Sequence, residues 1–173
     1  MLLLVCNVSV AGAHTAPIDE TLKSALVYKL AKFVQWPESS YMDDKGFYLC
    51  LLNDGVVPDS FKVLESHTLQ AMPITVNAFR RSDMVNNHCD VVLIDSAKAP
   101  FLQDILTTLG SKGPMLTVSD YKGFAAQGGM VELGLVHGKV KFHINRERAI
   151  MAKLKISSTL LQLATLIRTK EGR

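Results

Sequence analysis

Cysteine is scarce in this chain: Cys6, Cys50 and Cys89 are the only three in 173 residues. They form no CxxC pair, and His88 beside Cys89 is not a zinc-ligand spacing, so no structural zinc motif is encoded. No serine sits in a G-x-S-x-G elbow. The glycine-rich stretch 123–129 lacks the Lys-Ser/Thr of a phosphate loop and the strand-to-helix order of a dinucleotide fingerprint. With no nucleophile–base pair, metal set or phosphate cradle, the chain reads as a non-enzyme without metal or cofactor. Beyond residue 13 no apolar run approaches the ~20 residues of a membrane-spanning helix. Repeats and low-complexity linkers are missing too. The net charge of +3 is too small to argue for nucleic acid.

What is present begins with MLLLVCNVSVAGA. Residues 2–10 are apolar apart from Asn7 and Ser9, and Ala11-Gly12-Ala13 has the A-x-A form that signal peptidase cuts. We read residues 1–13 as an export signal and 14–173 as one mature domain. A core or amphipathic N-terminal helix is the plain alternative. No Lys or Arg precedes the apolar run, which agrees with a start further upstream. Export would remove Cys6 and leave Cys50 and Cys89. An even pair in an oxidising compartment reads as a disulfide, and two buried thiols as the other possibility. A loop of this length gives roughly 4 kcal/mol by chain-entropy arithmetic.

Apolar periodicity predicts a helix from Ile18 to Val34, with Leu22, Ala25, Leu26, Leu30, Phe33 and Val34 on one face and Lys23, Lys29 and Lys32 away from it. Pro37 stops it. Short runs at 47–52, 74–79, 91–94 and 115–118 read as strands, and 91–94 as a central parallel one. Segments 61–66 and 101–109 read as helices. Residues 130–136 and 139–144 flank His137-Gly138 as a β-hairpin. Its second arm alternates Val140, Phe142 and Ile144 with Lys141, His143 and Asn145, giving one buried and one wet face. Residues 147–169 read as one long C-terminal helix. The expected fold is α/β, a single domain: a mostly parallel central sheet with helices packed on it, then the hairpin and that helix.

Charge is unevenly spread. Residues 139–173 hold nine Lys/Arg against two Asp/Glu, whereas residues 14–138 hold ten against fourteen. The basic end suits an acidic partner, a phosphorylated ligand or lipid headgroups, or is simply the solvated face of a C-terminal helix.

Several strings, in order, carry a family resemblance. They are ALVYKLAKFVQWP at 25–37, FYLCLL at 47–52, HCD before VVLID at 88–95, LTVSD with Gly123-Phe124, Gly128-Gly129-Met130, and FHIN at 142–145 leading into LKISS and LLQLA. Together they resemble the YfiR-type periplasmic proteins from about Leu22 to Ala164. The resemblance implies a periplasmic regulator of the Gram-negative type. Such a protein represses an inner-membrane diguanylate cyclase through the cyclase's periplasmic region, is antagonised by an outer-membrane lipoprotein, and lowers cyclic di-GMP and biofilm formation. It also implies a Cys50–Cys89 disulfide and a homodimer. A second disulfide found in some members near the Gly-Gly region has no cysteines here.

Candidate site residues follow. Lys141, His143, Asn145 and Arg146 form a polar group at the end of the hairpin, and Trp36 closes the first helix. Together they are the expected ligand or partner surface, against the plainer reading of a solvated strand face and a core aromatic. Asp90, Asp95 and Asp120 lie near strand ends, where ligands bind in open α/β sheets, although capping and turn roles suit them as well. The alternative function is a small-ligand sensor module for an aromatic or anionic metabolite.

Overall fold

The computed structural model describes residues 18–37, 46–86 and 88–169. The leader read over residues 1–13 lies outside them. Asp19 starts helix α1 (Glu20–Ala31): its carboxylate accepts from the Thr21 and Leu22 amides at 2.9 and 3.0 Å, satisfying two of the donors every helix start leaves open. The buried face runs through Lys23, Leu26, Val27, Leu30 and Ala31. This stripe is rotated from the expected one, with Ala25 and Phe33 turned outward and Lys23 inward. The inward lysine is tolerated because its Nζ meets Glu20 at 2.8 Å and Asp120 at 2.9 Å. After α1 the chain is extended at β1 (Val34–Gln35), ahead of Pro37.

The remaining elements follow in order: β2 (Phe47–Leu52), α2 (Asp59–Lys62) continued by a 3-10 turn, β3 (Thr68–Leu69), β4 (Met72–Phe79), β5 (Val91–Ile94), α3 (Leu102–Gly110), β6 (Leu116–Ser119), β7 (Val131–Val136) and β8 (Lys139–Ile144). The C-terminal part adds α4 (Arg146–Met151), β9 (Lys155–Ile156), α5 (Ser158–Leu163) and β10 (Thr165–Leu166). Eight strands form one sheet in the order β10-β8-β7-β6-β5-β2-β4-β3. Pairing is parallel from β4 through β2, β5 and β6 to β7, and antiparallel within the β7–β8 hairpin. Strand β5 is buried at every position between β2 and β6, as a continuous β-branched run requires. The hairpin turns at His137 (φ 49°) and Gly138 (φ 72°), the left-handed pair that matches strand twist.

Alternation along the strands builds a core on each face. One face buries Phe47, Leu49, Val91, Leu93, Leu116 and Val118 under α1 and α2. The other buries Cys50, Leu52, Val92 and Ile94 with Leu102, Ile105 and Leu109 of α3. The Cys50–Cys89 disulfide lies in this second layer, with a Cα–Cα distance of 5.9 Å.

The expected long C-terminal helix is not there. Helix α4 stops after six residues because Lys153 takes a left-handed conformation (φ 61°). Its amide donates to the Ile150 carbonyl and the Leu154 amide to Ala149, both at 2.9 Å, the pair of bonds that closes a Schellman stop. Residues 155–156 then pair antiparallel with Val34–Gln35. Ser157 caps α5 through the Leu160 amide, and β10 adds a parallel edge to β8. The apolar residues at 154 and 160 are buried, so the helical pattern was real burial delivered by a different backbone.

Candidate interaction surface

The residues grouped by sequence do not share one surface. Trp36 is an interior residue, 6% exposed. Its ring meets Phe47 edge-on at 5.3 Å and its Nε1 donates to the Asp90 carbonyl at 3.1 Å. Asn145 is also interior, with no exposure at all. Its Oδ1 caps α4 by accepting from the Arg148 amide at 3.1 Å, while Nδ2 donates to the Ala125 carbonyl at 3.0 Å and to Thr169 Oγ1 at 2.8 Å. These three bonds explain why Asn145 leaves the wet face of Lys141 and His143: the side chain is the staple that joins the end of β8, α4 and the C-terminal segment.

Lys141 and Arg146 are exposed, as expected. His143 stands between these extremes. Its Nδ1 lies 3.5 Å from Glu132 Oε1, across the registered pair of β7 and β8. Glu132 is buried and its other oxygen accepts from the Ala125 amide at 3.2 Å. The pair ties the hairpin to the 125–127 turn. Nothing in the strand pattern marked Glu132, since a lone carboxylate in an alternating strand reads as a solvated position.

The three strand-end aspartates are also separated. Asp90 precedes β5 and so lies at the amino edge of the sheet, where its Oδ2 accepts from the Tyr48 amide at 2.8 Å. Asp95 follows β5 and accepts from the Ala97 amide at 2.7 Å. Asp120 follows β6 and pairs with Lys23. Burial would lower the Lys23 pKa, but hydrogen bonds and charge from Glu20 and Asp120 outweigh it and hold it above the ordinary lysine value. Among the described residues, no group of three His, Cys, Asp or Glu is arranged to hold a metal ion. At Gly129 a Cβ would come within 2.1 Å of the Phe124 ring, so the Gly-Gly step packs backbone against an aromatic side chain.

The C-terminal segment is what the structure exposes. Of the nine exposed large apolar side chains among the described residues, four lie between 150 and 166: Ile150, Met151, Leu163 and Leu166. Exposed cations Lys139, Lys141, Arg146, Lys153, Lys155 and Arg168 lie within residues 139–168, where the exposed Glu147 is 3.8 Å from Arg168. Strand β10 forms one edge of the large sheet. Apolar side chains with surrounding charge are the composition of a protein-contact surface.

The structure is an α/β domain whose C-terminal segment exposes both cations and apolar side chains. A family model described as YfiR/HmsC-like matches residues 20–165. The match takes in α1 and extends to the first residue of β10, and the chain belongs to the YfiR/HmsC-like family. No curated protein gives a significant match. Family membership points to a regulator of diguanylate cyclase signalling, in a regulatory rather than a catalytic family. No described helix is long and apolar enough to cross a membrane.

Proposed function

We propose that this protein is a periplasmic repressor that binds the periplasmic domain of an inner-membrane diguanylate cyclase and lowers cyclic di-GMP and biofilm formation. The supporting observation is the C-terminal segment, taken with the family: Ile150, Met151, Leu163 and Leu166 are exposed within residues 139–168, which also carry exposed cations. Apolar side chains in the centre of a contact supply affinity, and rim charges such as Lys141 and Arg146 set encounter rate and partner choice. Trp36 and Asn145 are both buried; Asn145 holds the C-terminal segment through Arg148 and Thr169. An outer-membrane lipoprotein that sequesters the repressor would relieve the block, and the repressor would act as a homodimer.

Deleting the gene should raise cyclic di-GMP and surface attachment. Lys141→Glu with Arg146→Glu should reduce binding to the cyclase domain while leaving the melting temperature nearly unchanged, since exposed substitutions usually alter stability by under about 0.5 kcal/mol. An unchanged cyclic di-GMP level in the deletion strain, with the cyclase expressed, would defeat the reading.

A further inference from the structure

A groove of about 570 Å³ runs between α3 and α4, within the size range of small-molecule sites. Its charge is all of one sign: Arg148 and Lys153 line it, and no Asp or Glu is among its described lining residues. Neither cation makes an ion pair among the described residues. Arg148 is half-buried. Its Nε lies 3.4 Å from Thr169 Oγ1, the same hydroxyl that accepts from Asn145. That contact holds the guanidinium by one edge, and among the described residues nothing accepts from its terminal nitrogens. Nη2 lies by Gly128, where an added Cβ would stand 3.6 Å from it. A partly desolvated cation without a counter-charge is costly unless something anionic completes it.

The rest of the lining sets the body of that ligand. Leu106, Met115 and Met130 contribute an apolar floor with the exposed Met151 at its rim, and methionines adapt to irregular aliphatic or aromatic shapes. The backbone narrows the head group. A phosphate would want several converging amides, but the Gly128 and Gly129 amides already donate to the Ala125 and Phe124 carbonyls. A planar carboxylate needs only the two-nitrogen edge of one arginine.

We propose that the groove between α3 and α4 binds a small amphipathic carboxylate, its head on Arg148 with Lys153 at the rim and its apolar body on the methionine-rich floor. The site goes beyond cyclase repression and does not depend on it.

Calorimetric titration of the purified protein with octanoate, octanol, acetate and inorganic phosphate tests this. Octanoate should bind at least tenfold more tightly than each of the other three. Arg148→Met should bring octanoate down to the level of octanol. Thr107→Trp, an exposed groove position on α3 away from the cation, should abolish binding of both and keeps the test open if the arginine variant fails to fold. Octanoate binding no tighter than octanol or acetate, tighter binding of phosphate, or wild-type octanoate affinity in a folded variant of either kind would overturn the proposal.

Discussion

The Trp36 indole donates to the main-chain carbonyl of Asp90 at 3.1 Å, across 54 residues of sequence. The same carbonyl accepts from the Leu116 amide at 2.8 Å. One oxygen thus joins the segment after α1 to the amino edge of the sheet. Trp36→Ala should cost about 3–5 kcal/mol, the range for deleting a large core side chain. Trp36→Phe should cost much less, because Leu116 still satisfies the carbonyl. Urea denaturation followed by circular dichroism measures both.

Cys50 and Cys89 bridge strand β2 to the residues just before β5. Cys50→Ser should lower stability by about 2–5 kcal/mol, the usual loss for a native bridge in a small secreted domain. Non-reducing mass spectrometry of the wild type should show the linked peptide. Two freely alkylated thiols would count against the bond.

Asp120→Ala would leave the buried Lys23 ammonium with Glu20 alone. The loss should be about 1–3 kcal/mol, as for an unsatisfied buried partner. Because the folded-state pKa of Lys23 is raised, its contribution is complete below the unfolded lysine value of about 10.4 and disappears as pH climbs through the folded one. A melting series from pH 8 to pH 11 should therefore show a steeper alkaline decline in the wild type than in Lys23→Met.

Lys153 holds a left-handed backbone conformation that favours glycine. Lys153→Gly should keep the Schellman stop and raise stability by about 1 kcal/mol, the strain a side chain bears there. A lower melting temperature would show that the lysine side chain itself holds α4 to its neighbours.

The strands were legible because their signal is local. The runs at 47–52 and 91–94 are apolar at every position, and each is bounded by turn residues, so no helical alternative fits. His137-Gly138 marked its hairpin through the backbone geometry it permits. The end of the chain was not legible for the opposite reason. Residues 147–169 have a helical apolar period, and the Lys153 break leaves no composition signal, since a lysine in place of glycine at such a stop looks like one more helix residue. The burial of Trp36 and Asn145 was not legible for a related cause: both side chains are amphipathic and find partners at positions 90, 125 and 169 that no local window contains.

The sequence by itself determined the α/β class, the central β5, the hairpin and the family, because each rests on short-range pattern or on residue order. Tertiary structure alone decided that Lys23 turns inward to Asp120, that Glu132 is buried beside His143, and that the C-terminal residues return to pair with β1 and β8. Those outcomes depend on which polar groups meet across the folded chain, and a buried charge is tolerated only where a partner arrives from elsewhere to satisfy it.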